Sequence, residues 1–531
     1  MTQAIRNPIL PGFHPDPSIC RVGEDVYIAT STFEWYPGVE INHSTDMVTW
    51  SLVARPLDRK TQLDMRGNPD SCGVWAPCLS YADGLFWLIY TDVKRYDGNY
   101  KDTHNYLVTA PSIEGPWSDP VHMNSSGFDP SLFHDADGRK WFVNMDWDYR
   151  AETGPHPGGA FSGIVLQEYD PKAEKLVGPI TRIFEGTDLG YTEAPHLLQA
   201  NGYYYLCTAE GGTGYNHAVT YARAERIEGP YEVHPDRYVL TAKDTPQAPL
   251  QRIGHGQFVE TTDGQGWHTF LCGRPLPGLD GVKRSPLGRE TGIVQCAWGE
   301  DGWLYCDDPQ ENVATDGYFE DAKTYAFEEA LDGDFQWLRT PERDRIFSLT
   351  DRPGYLRLIG RESVGSWFEQ ALVARRQTSW NYSAETALDF SPRDAKTMAG
   401  LVAYYNRHQF HYLYVYADLE GTARLAIQSC DGDWPEARLT FPAGKGVALP
   451  AGALELGVDV DGAELQFRWR VDAADWQEIG PKLDASVLSD EAGRGDQANF
   501  TGAFVGMAAQ DTSGQAHVAD FNRFTYENRK G

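Results

Sequence analysis

One short pattern is spelled five times in the first 300 residues: a polar or aromatic opener, an apolar strand, a Gly-containing turn, then an aromatic-rich strand. The openers are Asp16-Pro17-Ser18, Trp75-Ala76-Pro77, Asp129-Pro130-Ser131, Glu193-Ala194-Pro195 and His255-Gly256-Gln257. The turns that follow are Gly23-Glu24-Asp25, Asp83-Gly84, Asp137-Gly138, Asn201-Gly202 and Asp263-Gly264. Repetition at a period of roughly 60 residues, with room for about four short strands in each unit, predicts a β-propeller of five blades. In such a ring the start of each innermost strand faces a common axis. Side chains far apart in sequence therefore meet there.

Period-2 alternation and turn-bounded runs continue to the end of the chain, and no long helical pattern interrupts them, so the predicted class is all-β. Residues 307 to 334 are acidic and turn-rich and read as a connector. Beyond them the repeat is lost. Ten further strand-like runs, among them Trp367 to Arg375, Leu401 to Tyr405 and Gly502 to Ala508, predict a β-sandwich of jelly-roll, concanavalin-like type. The division expected is a propeller over 1–315 and a sandwich over 316–531, in keeping with a 531-residue chain too long for one core.

Composition removes several partners. With 76 acidic against 46 basic residues the net charge is −30, which repels nucleic acid and anionic membrane alike. No run has the length of a membrane span, and the N-terminus lacks the apolar core of a signal peptide, so a cytoplasmic protein is expected. The eight cysteines show neither zinc-ribbon nor redox spacing and read as buried, reduced thiols. The 16 Trp and 28 Tyr suit β packing and, equally, the apolar faces of sugars.

Three openers begin with a carboxylate. Asp16, Asp129 and Glu193 would be neighbours on the axis, and a pair of carboxyl groups flanking the scissile bond is the standard equipment of glycoside hydrolysis. A third carboxylate would use its charge to keep the acid protonated. Taken singly, Asp-Pro-Ser is a common turn; the shared register is what marks these residues. His255 reads as an interior hydrogen-bonded histidine or as an axial group touching a metal ion or orienting a carboxylate. Trp75 reads as blade core or as the wall of a sugar site. Arg289 reads as a surface ion-pair residue or as a fixed charge that binds hydroxyls and holds a carboxylate ionised.

The ordered set Asn7-Pro-Ile-Leu-Pro-Gly-Phe-His-Pro-Asp-Pro-Ser18, Thr30-Ser-Thr-Phe-Glu-Trp-Tyr-Pro-Gly38, Val74-Trp-Ala-Pro77, Gly127-Phe-Asp-Pro-Ser131, Tyr191-Thr-Glu-Ala-Pro195 and Gly288-Arg-Glu-Thr291 resembles glycoside hydrolase family 43, in particular its two-domain β-xylosidases. Phe500-Thr-Gly-Ala-Phe-Val-Gly506 extends the resemblance into the second domain. The resemblance implies an exo-acting enzyme that releases xylose from the non-reducing end of β-1,4-xylo-oligosaccharides with inversion. It implies Asp16 as general base, Glu193 as general acid and Asp129 as the residue tuning the acid. Phe33, Trp75 and Phe128 become pocket walls, Arg289 and His255 substrate-binding groups, and Phe500 a lid from the sandwich. No cofactor is required; a structural calcium ion on the axis near His255 and a homodimer or homotetramer are compatible with the family. The alternatives are an α-L-arabinofuranosidase or a dual activity, an endo-arabinanase, and a propeller that binds carbohydrate without cleaving it.

Overall fold

The structure is a computed structural model that describes residues 5–97, 100–125, 127–150, 160–314, 322–495 and 498–529. Five small antiparallel sheets form a five-bladed propeller. Blade 1 runs Ser18–Val22, Asp25–Thr30, Glu40–Ser44 and Ser51–Ala54 from axis to rim. The innermost strands of blades 2 to 5 are Gly73–Ala82, Ser131–His134, Glu193–Ala200 and Gln251–Gly254. Asp83-Gly84 and Asn201-Gly202 close their hairpins with both residues at positive φ, the conformation a two-residue turn between twisted strands requires. The ring is sealed by its own N-terminus. Leu10 bridges Thr291, and the Asn7 side-chain amide pairs with both backbone groups of Ile293 at 2.8 and 2.9 Å, standing in for a strand residue of blade 5.

The true register of the repeat differs by one residue from the sequence alignment in two blades. Positive φ recurs at Asp16, Ala76, Asp129, Ala194 and His255, so the equivalent position is the residue before the Pro or Gly. Four of the five precede a proline, which disfavours the right-handed helical region, and His255 precedes a glycine; all five take the left-handed region. Trp75 and Glu193 therefore stand one position ahead of Asp16 and Asp129, each followed by a bulge before pairing resumes at Cys78 and His196. A bulge re-aims the side chain beside it. Two residues after the left-handed position lies the column nearest the axis: Ser18, Cys78, Ser131, His196 and Gln257. It is stitched across blades, Ser18 Oγ donating to Gln257 Oε1 at 2.8 Å and accepting from Leu79 N, and Ser131 Oγ donating to the Pro195 carbonyl at 2.6 Å.

The C-terminal half is a sandwich of two eight-stranded sheets. Lys323–Ala326, inside the segment read as a connector, is a strand of one sheet and pairs with Val518–Asn528. The run expected from Trp367 begins only at Ala371–Arg376. Its first residues serve another purpose: the Trp367 carbonyl accepts from Gly67 N of the propeller, and its ring carries the Arg407 guanidinium at 4.3 Å. Gln477–Asp484 is a strand that alternation did not announce. The expected boundary at 315/316 lies outside the described residues.

The halves share a sheet. Trp35–Tyr36, from blade 1, pairs with Phe335–Leu338 and becomes an edge of the second sandwich sheet, with Trp35 stacked on Phe504 at 3.7 Å. Beside this joint the buried Glu40 carboxylate meets His14, Arg55 and the sandwich's Arg376 at 2.9, 2.8 and 2.7 Å. Burial alone would raise its pKa; the charges of Arg376 and Arg55, with the His14 contact, outweigh it and hold the carboxyl well below the usual range. A second pair, Arg252–Asp490 at 3.0 Å, is fully buried where blade 5 meets the sandwich.

Candidate active site

Asp16, Asp129 and Glu193 line one cavity of about 380 Å³, and Phe33, Trp75, Phe128, His255, Arg289 and Phe500 line it with them. Its size falls at the lower end of the roughly 300–1,000 Å³ of ligand pockets. The aromatic rings form a continuous wall: Trp75 contacts Phe33, Phe128 and Phe500 at centroid distances of 5.8, 5.4 and 5.5 Å. Phe500 alone of these rings comes from the sandwich.

Asp16 is held from two sides. Its Oδ2 accepts from Ser31 Oγ at 2.6 Å, and its Oδ1 from Arg289 Nη1 at 3.3 Å. Ser31 Oγ in turn accepts from Ala76 N, so blade 2 fixes the hydroxyl that fixes blade 1's carboxylate. The other amino group of Arg289 donates to the Phe500 carbonyl at 2.6 Å, and its guanidinium lies over the Phe33 and Phe500 rings. Gly288 permits this approach: a Cβ there would stand 2.5 Å from the Thr501 carbonyl oxygen, at a φ of +72°. His255 Nδ1 lies 3.6 Å from Asp16 Oδ1. Burial, aided by the Arg289 charge, lowers its pKa to about 3, so it faces Asp16 as a neutral imidazole.

Glu193 is the counterpart. Burial first, then the charge of Asp16, raises its carboxyl to about 8 against the opposing pull of Arg289 and Lys101. Asp129, whose Oδ2 accepts from Ala194 N at 3.1 Å, is raised well above the ordinary range by burial, then by Glu193 and Asp16. The two protons belong to a coupled set. Asp129 and Glu193 each disfavour ionisation of the other, and the charge of Asp16 disfavours ionisation of both.

Several pocket residues escaped the sequence reading. Lys101 reaches in with Nζ bonded to the Tyr96 carbonyl at 2.7 Å and 4.4 Å above the Trp147 ring; burial lowers its pKa to about 8. The Tyr96 hydroxyl donates to the Ala498 carbonyl and accepts from Arg494 Nη1 at 2.9 Å, a second contact from the sandwich. Trp147, between two aspartates, carried a usable signal as an aromatic on an acidic turn. Lys101 and Arg494, isolated cations in loop-like sequence, carried none.

Among the described residues no three His, Cys, Asp or Glu side chains gather as a metal cage. At His255 the donors are its own imidazole, the Asp16 carboxylate at 3.6 Å and, 6.4 Å away, the His196 ring, with the Arg289 charge close by. Calcium takes six to eight oxygens, which this set does not supply from side chains. No described helix is long and apolar enough to cross a membrane.

A braced carboxylate and a protonated one, set into a single aromatic-walled cavity, are what general acid–base cleavage of a glycosidic bond demands, and they define the class as glycoside hydrolase. Residues 5–304 match Glycosyl hydrolases family 43, and residues 324–527 match the β-xylosidase C-terminal concanavalin A-like domain. The chain is 58% identical over 533 residues to xylosidase/arabinosidase 43B of Humicola insolens, covering 98% of this chain and 97% of the relative. It is 48% identical over 544 residues to a β-xylosidase of Bacillus subtilis, covering 99% and 100%. The crystal structure of a xylan β-1,4-xylosidase from Bacillus halodurans C-125 superimposes with a TM-score of 0.93 at 48% identity, over 99% and 100% of the two chains. The chain belongs to glycoside hydrolase family 43.

Proposed function

We propose that this glycosidase is an exo-acting β-xylosidase that removes single xylose units from the non-reducing end of β-1,4-xylo-oligosaccharides by one inverting displacement. The observation that carries the reading is the unequal pair in one pocket: Asp16 braced by Ser31 and Arg289, Glu193 buried with its pKa at about 8. Glu193 donates its proton to the departing glycosidic oxygen as the bond to the anomeric carbon breaks. Asp16 accepts a proton from the water that attacks the opposite face. Charge develops on the sugar ring between the two, and inversion follows from the single displacement. Asp129 positions the acid side through the Ala194 N–H, and Arg289 orients Asp16 through its Nη1 while offering its uncommitted N–H donors to substrate hydroxyls.

Phe500 packs against Trp75 and Phe33 and supports a pocket that ends at the terminal sugar, as exo action needs, rather than the through-running groove of an endo enzyme. A second reading, combined xylosidase and α-L-arabinofuranosidase activity, is favoured by the likeness to the xylosidase/arabinosidase of Humicola insolens. Relative rates on the two 4-nitrophenyl glycosides rank the activities. The eight free thiols, seven of them buried, support a reducing compartment and hence the cytoplasm. Proton NMR of the first products from xylobiose tests the mechanism. α-Xylose appearing first is expected; β-xylose first overturns inversion, and no xylose overturns the substrate.

A further inference from the structure

Ser71 is a buried residue outside the catalytic carboxylates, yet all three of its polar groups are committed, and each to a different part of the pocket's frame. Its carbonyl accepts from Trp75 Nε1 at 2.9 Å. Its hydroxyl accepts from the backbone N–H of Phe500 at 3.1 Å. Its own N–H is shared by the two oxygens of Glu34, at 3.2 and 3.1 Å. The residue stands at a φ of +63°, a conformation a serine adopts only where its surroundings impose it. Glu34 is itself buried between Phe33, a pocket wall, and Trp35, the residue stacked under the sandwich. Its carbonyl accepts from Arg339 N, and Arg339 in turn holds Asp70, the neighbour of Ser71, at 2.8 Å.

We propose that Ser71, fixed by Glu34, is the positioning residue that sets the width of the sugar pocket by tying the propeller's Trp75 wall to the sandwich's Phe500 ring. The inference rests on the reading of this cavity as the glycoside site. Phe500 is held at both of its backbone polar groups, by Ser71 at the nitrogen and by Arg289 at the carbonyl, and Thr501 N is held by the Tyr405 hydroxyl at 3.1 Å. Removing the serine hydroxyl releases one of these anchors and leaves Trp75 bonded. The pocket then loses discrimination between a flat pyranose and a puckered furanose, because the Phe500 face is free to shift against Trp75.

The test uses the full-length enzyme and two variants. Ser71→Gly removes the hydroxyl while relieving the positive φ, so its backbone is less strained than that of the wild type. Ser71→Ala removes the hydroxyl and keeps the strain. Both should raise KM for 4-nitrophenyl β-D-xylopyranoside by roughly fivefold to tenfold, the loss of about one hydrogen bond, with kcat changed less than threefold. KM for 4-nitrophenyl α-L-arabinofuranoside should rise less, so the preference for xylose narrows. Amide exchange in the peptide carrying Phe500 should accelerate in both variants. A xyloside KM unchanged in Ser71→Gly, or kcat falling as far as KM rises, overturns the inference. The exchange readout needs no substrate: a wild-type enzyme inert on both glycosides would sink the functional reading, and unchanged exchange at Phe500 would sink the role of Ser71 independently.

Discussion

On the blade 1 side of the pocket, Asp16 is gripped by a hydroxyl and a guanidinium, and that guanidinium also grips the backbone of the second domain. On the blade 4 side, Glu193 has no side-chain hydrogen bond among the described residues, and its properties come from burial and from charge at a distance. Both residues stand at the head of an innermost strand, Glu193 as its first residue and Asp16 two residues before Ser18. They differ by one residue of register, which places Asp16 at the left-handed position and Glu193 just ahead of it, beside a bulge. A repeated scaffold thus makes a base and an acid by a small offset and by what each neighbour blade contributes. The base must stay ionised and needs donors; the acid must hold a proton and needs their absence.

The sharpest way to break this contrast is to remove each carboxyl in turn. Glu193→Gln should lower kcat on xylobiose by about 10²–10⁴, the usual contribution of a general acid, and much less on 4-nitrophenyl xyloside, whose leaving group departs without a proton. Asp16→Asn should depress both substrates alike, because water activation is common to them; a leaving-group dependence in Asp16→Asn would reverse the assignment. Next in size is Arg289→Met, which frees Asp16 and the Phe500 carbonyl together. A loss in kcat/KM of about 10² is expected, from one charge-assisted and one backbone contact. Steady-state rates that stay within threefold of wild type would remove Arg289 from the base side.

A pH profile sharpens the comparison further. Productive enzyme carries the proton on Glu193, whose folded pKa is raised to about 8, so kcat/KM should hold through neutral pH and fall as pH rises through about 8. An alkaline limb falling below pH 6 would contradict the burial argument. The smallest effect concerns Lys101. Its positive charge favours the ionised form of Glu193, so Lys101→Met should move the alkaline limb upward, on the order of half a pH unit, measured on the same substrate.

Much of this pocket was legible because its residues sit at the heads of repeated strands, where sequence period and spatial convergence coincide. The five blades, the three carboxylates and the Trp75 wall follow from that period. The offset of Glu193 does not, because Glu193-Ala194-Pro195 and Asp16-Pro17-Ser18 align equally well as text, and only the backbone dihedrals separate them. Phe500 came from family resemblance, and for Arg289 the residues alone left two readings open; neither lies at the head of an innermost strand. Lys101, Tyr96 and Arg494 were missed because each acts through a single long side chain on a loop, a placement without periodic signature. The sandwich was readable as strands but not as an assembly: its pairing with Trp35–Tyr36 joins residues some 300 positions apart, and non-local pairing leaves no local trace.

That pairing has a consequence for how the enzyme comes into being. A nascent chain emerges N-terminus first, so the propeller is available to fold while the strand Phe335–Leu338 and the stacking ring of Phe504 are still unmade. Until they arrive, Trp35–Tyr36 is an unpaired strand edge carrying two large aromatics, a surface on which a second nascent chain could dock. The ring that closes the pocket, Phe500, is therefore made long after the three carboxylates it faces. A truncated product would hold all three carboxylates, lack the ring that closes their pocket, and present an adhesive edge in its place.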